Sequence, residues 1–293
     1  MDLEIYKKHE PIYIIGHSNI DIDSAVSSKI LSEIFNFFDI KSYYAVLDEN
    51  YDFDEYNKNM VDDCMVFEPV VVKKENITNY NWFLTDHNDR SQSVGFNANV
   101  IGCIDHHPDA LNVNNKILTD VCCISLFIFS LFKDVYEFTK EQKYQIYLAF
   151  LNDSTFGKAS RYKESDGVLA SLLGFGSNYD ELFKKFFIPT DLSNGIESKL
   201  KNGSKKYNFN GIKFESGYIE RFDTIGLDEY KELINKQKSF LGSWLDYTKY
   251  QSYVYFKYDN KLKEFKYDFI ASRATTVLND VMKYLKDEKY LID

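Results

Sequence analysis

The sequence predicts an α/β protein, with a mostly parallel sheet in an N-terminal domain and a mixed sheet in a smaller C-terminal α/β domain. Three observations predict this fold class. In the first half of the chain, short apolar runs alternate with segments whose apolar residues recur at helical spacing, an order typical of a parallel sheet covered by helices. Turn-forming residues then concentrate in 188–195. Two hairpin patterns follow that stretch.

The N-terminal domain opens with a short strand in "EPIYIIGHS", an apolar run bounded by Pro11 and Gly16. A helix should follow, and either Asp23 or Ser24 could cap its start. Strands are predicted in 10–18, 41–48, 64–72, 79–89 and 98–109, and the last two run into polar turns. The predicted helices are 23–38, 122–133 and 139–153, the last with a capping box of Thr139 and Gln142. This alternation predicts a Rossmann-like domain over 1–188.

The stretch "IPTDLSNG" at 188–195 is interpreted as a linker, so that the second domain covers 196–293. Two hairpins are predicted in it, and their turns lie at Asn210-Gly211 and near Asp259-Asn260. The predicted helices of this domain are 227–245 and 275–287. Because hairpins are antiparallel, the sheet of the second domain should be mixed.

Composition excludes several classes of protein. The 293 residues are 44% hydrophobic, which is enough for real cores, and no apolar run reaches the roughly 18 residues of a membrane span. The first residues do not resemble a signal peptide, and the cysteines form no CxxC pair, so a reduced, cytoplasmic protein is expected. A net charge of −10 argues against nucleic acid or an anionic membrane as partner.

Histidine is rare in this chain and concentrated in a few places. Four of the five histidines lie in "GHSNIDID", "LTDHND" and "CIDHHPD", and none follows His107. Each of these stretches comes just after an apolar, strand-like run. In parallel sheets the functional sites lie at the carboxyl ends of strands, so the three stretches should meet at one edge.

The residues gathered there are carboxylates and imidazoles without a thiolate. Such ligands suit Mn²⁺, Co²⁺ or Mg²⁺ better than they suit the Zn²⁺ of a structural site. Two metal ions about 3.5–4 Å apart could together activate a water and polarise a phosphoryl oxygen. For Asp23 or Asp153 taken alone, helix capping is the more ordinary explanation, and the whole set of motifs is what favours a metal centre.

At this point the chain resembles a known family. The stretches "GHSNIDIDS", "LTDHND", "CIDHHPD" and "FLNDST" look like the four motifs of the DHH phosphoesterases. Within that superfamily the chain is most similar to the manganese-dependent (family II) inorganic pyrophosphatases, including a second domain of the DHHA2 type. The glycine- and histidine-rich motif of the recJ-like nuclease branch is absent, which disfavours that branch.

The resemblance implies roles for individual residues. The ligands of a first metal would be His17, Asp21 and Asp86. The ligands of a second would be Asp23, Asp86, His106 and Asp153, with Asp86 bridging both ions. His107 would act on the substrate by binding or protonating a phosphate. His87 and Asp105 would orient ligands, although plain turn hydrogen bonding explains them about equally well.

In the second domain the resemblance implies phosphate-binding residues, namely Lys205, Ser272 and Arg273, with Lys158 as a further candidate. The chain also departs from the family pattern. Ile20 stands where the family has proline, and Pro108 replaces a usually basic residue. Ala274 occupies the position of an expected lysine, which removes one cation from the predicted phosphate pocket.

The resemblance therefore implies two-metal hydrolysis of inorganic pyrophosphate at a cleft between the domains, with two divalent ions, Mn²⁺ first, as cofactors. A small anionic phosphate compound would be the substrate, and the oligomeric state is open, with a homodimer among the options. The alternative enzyme is a DHHA2 phosphatase for short polyphosphate or a small phosphoester, which the loss of the lysine at Ala274 would favour. A non-catalytic binding regulator is disfavoured because all the ligand positions are filled.

Overall fold

A computed structural model describes residues 2–18, 20–48, 68–109, 113, 115–176, 179–187, 189–201, 204–209, 211–271 and 273–290. The chain forms two compact units, Met1–Gly157 with Tyr162–Phe187, and Lys158–Arg161 with Ile188–Asp293. Within the described ranges, no helix has the length and apolar character needed to cross a membrane.

The first unit contains the predicted parallel sheet. Its six strands have the order β3-β2-β1-β4-β5-β6, and every neighbouring pair is parallel. The strands are β1 (Ile12–Ile15), β2 (Ser42–Leu47), β3 (Val70–Val72), β4 (Asn81–Thr85), β5 (Asn99–Asp105) and β6 (Lys116–Leu118). The short edge strand β6 was not predicted, and residues 64–67 of a predicted strand lie outside the described ranges.

The described residues of this unit form five helices: α1 (Ile22–Phe37), α2 (Ile124–Phe132), α3 (Lys140–Asp153), α4 (Glu164–Ser171) and α5 (Tyr179–Phe186). Helix α1 packs on β1 and β2 and also against α2 and α3. The predicted capping box of α3 is confirmed, since Thr139 and Gln142 exchange side chain to backbone hydrogen bonds. The predicted cap of α1 was wrong: the helix starts one residue earlier, and Asp21 accepts the Ser24 N–H at 2.8 Å.

Gly16 allows β1 to end directly against the start of α1. A Cβ atom at Gly16 would lie 2.6 Å from the Cβ of Ser24, far inside van der Waals contact. Any larger residue would therefore separate the strand end from the helix. The close approach places His17 and Asp21 on the same edge of the sheet.

The second unit is built on a mixed sheet, as predicted, and its five strands have the order β11-β10-β9-β8-β7. Its strands are β7 (Lys205–Phe209), β8 (Ile212–Arg221), β9 (Phe240–Asp246), β10 (Gln251–Tyr258) and β11 (Lys261–Tyr267). Both predicted hairpins are present, although Asn210 of the first turn lies outside the described residues. Helix α6 (Leu227–Lys236) packs on β9 and β10, and α7 (Leu278–Asp287) contributes Val281 and Leu285 to a core with Val254 and Phe256.

The predicted helix over 227–245 was wrong in its second half. Helix α6 ends at Lys236, and residues 240–246 form β9 instead. Strand β9 is central, parallel to β8 and antiparallel to β10, and six of its seven residues are buried. A strand is usually recognised by alternating apolar and polar residues, and burial on both faces removes that alternation. The apolar run of β9 therefore resembles a continuation of the preceding helix.

Candidate metal centre

The three predicted stretches meet at one edge of the parallel sheet. His17 follows β1, Asp86 follows β4, and Asp105 ends β5, and these three strands are neighbours in the order β1-β4-β5. Asp21 joins them from the N-cap of α1 and Asp153 from the last residue of α3. Parallel strands that end side by side therefore collect residues from distant parts of the chain.

Asp86 lies at the centre of this group. Its Oδ2 is 3.3 Å from Nε2 of His17, and its Oδ1 is 3.1 Å from Nε2 of His106. The side chain is only 2% exposed, and Oδ1 accepts no hydrogen bond from any described residue. The backbone of Asp86 has a φ of +59°, a left-handed conformation that is uncommon outside glycine and concentrates at functional sites. Each oxygen of Asp86 thus faces a different imidazole.

Among the residues that the structure describes, three clusters of possible ligand atoms arise, and the atoms of each lie within 4.8 Å of one another. They are His17–Asp21–Asp86, Asp86–Asp105–His106–His107 and Asp23–Cys123–Asp153. Asp86 belongs to the first two clusters. Nε2 of His106 lies 4.0 Å from Oδ2 of Asp153, which links the second cluster to the third. All six residues expected to bind metal are therefore found in one connected group.

Asp23 is held by the N-terminus of α2. Its carboxylate accepts the backbone N–H of Ile124 at 2.6 Å and that of Ser125 at 2.8 Å, and the thiol of Cys123 donates to it at 3.2 Å. The side chain is fully buried, and burial together with the charge of Asp86 raises its pKa. Asp23 thus caps a helix, but a helix one hundred residues away in sequence and not the one on which it lies.

His107 is oriented by Asp105. Nδ1 of His107 lies 2.8 Å from Oδ1 of Asp105, which also accepts the backbone N–H of His106 at 2.8 Å. The amide of Asn88 donates to the other oxygen of Asp105. The side chain of His107 is 21% exposed, whereas the side chain of His106 is 3% exposed. Of the two adjacent histidines, His107 is therefore the one that solvent and a substrate can reach.

His87 supports the turn that carries Asp86. Its Nδ1 is 2.9 Å from the carbonyl oxygen of Thr85, and its Nε2 is 2.6 Å from Oγ of Ser93. Both ring nitrogens are thus engaged, and the ring is fully buried. Burial lowers the pKa of His87 to about 4, so the ring is neutral at pH 7.

The imidazoles and carboxylates of the site shift each other's pKa. Burial works against a charged imidazole at His17, but Asp21 and Asp86 outweigh it and raise the pKa of His17 to about 10. Burial likewise opposes the charge of Asp86, yet His106 and His17 hold the pKa of that carboxyl well below its usual range. A bound cation would take over the role of the proton on His17, because metal ligands must be deprotonated.

The donor set fits hard or borderline divalent ions. Carboxylate oxygens and imidazole nitrogens predominate, and Oδ1 of Asp86 is a buried acceptor that lacks a hydrogen bond. The only thiol in the clusters belongs to Cys123, and burial keeps it protonated by raising its pKa well above the usual value. Sequence reasoning missed Cys123 and Asn88, although Asn88 stands inside the quoted stretch "LTDHND".

The second unit brings two of its predicted phosphate-binding residues, Lys205 and Arg273, next to Ser216 on β8. Lys205 pairs with Ser216 in the β7–β8 register, and Nη1 of Arg273 donates to Oγ of Ser216 at 3.1 Å. The guanidinium of Arg273 also lies over the ring of Tyr218 at 5.3 Å. Ser216 and Tyr218 were not predicted, because nothing local in "KFESGYIE" marks them.

Lys158 also belongs to the second unit, where its ammonium group lies 5.2 Å from the centre of the Tyr250 ring. The clusters of the metal centre are formed wholly by residues of the first unit. Ser272 lies outside the described residues. The predicted role of Ser272 therefore stays a prediction.

Known proteins with a similar fold were found by comparison. Residues 11–151 match the profile of the DHH family, N-terminal domain. The chain is similar to the crystal structure of a Methanococcus jannaschii protein described as a candidate family II inorganic pyrophosphatase, with a TM-score of 0.76 and 19% identity over 93% of this chain and 98% of that one. It also matches an exopolyphosphatase-related protein from Bacteroides fragilis, with a TM-score of 0.47 and 14% identity over 87% of this chain and 83% of that one. No curated protein sequence matches the chain.

Proposed function

We propose, from the match of residues 11–151 to the DHH family, N-terminal domain, that the protein is a two-metal phosphohydrolase whose substrate is inorganic pyrophosphate. The observation that carries the proposal is the position of Asp86, whose two oxygens face His17 at 3.3 Å and His106 at 3.1 Å. A carboxylate placed in this way can bridge two cations, one on each side. The ions we propose are two Mn²⁺, with Co²⁺ or Mg²⁺ as substitutes.

The first ion would be held by His17, Asp21 and Asp86, and the second by Asp23, Asp86, His106 and Asp153. When bound, such a pair supplies a water of lowered pKa and polarises a phosphoryl oxygen. The chain itself fixes the positions of the ligands. The N–H groups of α2 hold Asp23, and the left-handed backbone at Asp86 turns that carboxylate towards both imidazoles.

His107 has a separate task in this proposal. Because Asp105 engages Nδ1 of His107 at 2.8 Å, Nε2 is the nitrogen left for a phosphate oxygen. When the ring is protonated, Nε2 can donate a hydrogen bond or a proton to the leaving phosphate. Asp105 orients the ring and stabilises its charged form, so we treat it as a positioning residue.

In the second unit, Lys205 and Arg273 are proposed to bind the phosphoryl group that is not attacked. The hydrogen bond from Arg273 to Ser216 and the contact with Tyr218 orient the guanidinium, which reduces the entropy lost when it binds an anion. Lys158 and Ser272 are retained as weaker candidates for the same role. Each cation adds a charge-assisted contact to a substrate with several negative charges.

A second candidate activity rests on one residue. Ala274 stands directly after Arg273, where the resemblance led us to expect a lysine. Loss of a cation weakens the binding of compact pyrophosphate and leaves space for a larger group. Short polyphosphate or a small phosphoester is therefore the alternative substrate.

A panel of substrates tests the proposal. The full chain is stripped with a chelator and reloaded with Mn²⁺, and phosphate release is measured from pyrophosphate, tripolyphosphate, long polyphosphate and nucleotides. We expect the highest kcat/KM with pyrophosphate and loss of activity in Asp86→Asn. Faster release from tripolyphosphate would select the alternative, and no release from any compound with Mn²⁺, Co²⁺ or Mg²⁺ would overturn the enzyme assignment.

A further inference from the structure

The second unit contains a large cavity at one end of its sheet. Three connections meet there: the β7–β8 turn at Gly211, the segment 237–239 before β9, and the β10–β11 turn at 259–260. The cavity has a volume of about 930 Å³, within the range of small-molecule binding sites. We refer to it as the tyrosine–lysine groove, after its lining residues Tyr207, Lys213, Lys238, Tyr258 and Tyr290.

Two lysines stand close together on this groove. Lys213 lies at the start of β8 and Lys238 just before β9, and Oγ of Ser239 donates to the carbonyl oxygen of Lys213 at 3.0 Å. That hydrogen bond ties the segment of Lys238 to the strand of Lys213. Both side chains are exposed, and neither ammonium group forms an ion pair with another described residue.

Two carboxylates, Glu215 and Asp259, line the groove, and Glu215 is already paired. Glu215 forms an ion pair with Lys201 at 2.7 Å and accepts a hydrogen bond from Ser204, and these contacts lower its pKa. Burial and then the neighbouring Asp259 raise the pKa of Tyr290. In a chain of net charge −10, the two lysines therefore form a local positive surface that the paired Glu215 does not neutralise.

Tyrosine rings form the rest of the groove. The rings of Tyr258 and Tyr290 meet edge to face at 5.1 Å, and Tyr207 packs against Phe214 at 5.3 Å. The three tyrosines are half-buried, so part of each ring remains open to the cavity. Partly exposed rings of this kind offer a flat apolar surface to the ring of a ligand.

We propose that the tyrosine–lysine groove binds a nucleoside triphosphate. Lys213 and Lys238 would contact the phosphates, and the tyrosines would contact the base. Two cations beside an aromatic wall match a ligand that carries its negative charge at one end and a flat ring at the other. Inorganic polyphosphate would use the lysines alone, and a neutral nucleoside only the tyrosines. This site lies in the second unit and shares no residue with the metal centre or with Lys205, Ser216 and Arg273.

Isothermal titration of the full chain with AMP-PNP, a nucleotide that resists hydrolysis, tests the proposal. We expect saturable binding that is retained in Asp86→Asn and weakened at least about tenfold by the double variant Lys213→Glu, Lys238→Glu. Lys283→Glu, which makes the same charge change on the exposed face of α7, serves as the matched control and should bind like the wild type. Tripolyphosphate and adenosine, titrated separately, should each bind more weakly than AMP-PNP.

Tyr258→Ala is a second, uncharged test of the same groove. It should weaken the binding of AMP-PNP and leave the binding of tripolyphosphate unchanged, because only the nucleotide contacts the ring.

The proposal is overturned if AMP-PNP does not bind, if the double lysine variant binds it like the wild type, or if tripolyphosphate binds as tightly as AMP-PNP. Loss of AMP-PNP binding in Asp86→Asn would also overturn it, by placing the nucleotide at the metal centre. Phosphate release from pyrophosphate should be unchanged in all the groove variants, so failure here is distinct from failure of the proposed hydrolysis.

Discussion

The carboxylate of Asp23 accepts the backbone N–H of Ile124 at 2.6 Å, so a residue proposed to bind metal also caps the helix α2. The contact spans 101 positions of sequence and is completed by the N–H of Ser125. Helix N-termini favour negative charge, since their first N–H groups lack partners within the helix. The two roles of Asp23 are therefore compatible: the N–H groups of α2 favour its charged form, against the burial that raises its pKa, and orient it for a cation.

The first prediction separates these two roles. Asp23→Ala leaves buried N–H groups of Ile124 and Ser125 without an acceptor, which costs about 1–3 kcal/mol. We expect the free energy of unfolding of the chelator-treated protein to fall by about that amount in urea titrations. Asp89→Ala, which removes an exposed carboxylate that accepts the Ser91 N–H in a turn, is the control and should cost less. Unchanged stability of Asp23→Ala without metal would refute the capping role.

The second prediction concerns metal content. Asp86→Asn should lower the number of bound Mn²⁺ ions from two towards zero, because a bridging ligand serves both ions. Asp153→Asn should remove only one ion, since its carboxylate contacts a single cluster. Elemental analysis after dialysis against Mn²⁺ measures both, with Asp89→Asn as the control. Two ions retained by Asp86→Asn would show that this carboxylate is not a bridge.

Much of the site was predictable because its residues stand directly after strands. His17, Asp86 and Asp105 each follow an apolar run, and in parallel sheets such positions converge. Asn88 and Cys123 were missed for a physical reason. Their contacts with Asp105 and Asp23 are tertiary, spanning 17 and 100 positions, and no local pattern reports them. The same holds for strand β9, whose pairing on both sides overrides the helical pattern of its sequence.

The third prediction assigns His107 to the chemical step. His107→Gln should lower kcat for pyrophosphate about 10²- to 10⁴-fold, the usual contribution of a general acid or base. It should leave the Mn²⁺ content at two ions, because His106 and not His107 is the expected ligand. Steady-state kinetics and elemental analysis of the same preparation measure the two effects. Loss of a metal ion in His107→Gln would instead make His107 a ligand.

The last prediction concerns the phosphate-binding residues of the second unit. Arg273→Ala removes a charge-assisted hydrogen bond to the substrate, which is worth about 1.5–3 kcal/mol. The KM for pyrophosphate should therefore rise roughly ten- to a hundredfold, at about 1.4 kcal/mol for each factor of ten. Ser216→Ala removes only the 3.1 Å contact that orients the guanidinium, so its effect on KM should be in the same direction and smaller.

Ala274→Lys adds the missing cation and should lower KM for pyrophosphate, whereas the alternative activity predicts that it impairs a bulkier substrate. Steady-state kinetics on pyrophosphate and tripolyphosphate distinguish these results, with Lys283→Ala as a control on an exposed helix face. If neither Arg273→Ala nor Ala274→Lys changes KM for either compound, the segment that begins at Arg273 does not contact the substrate.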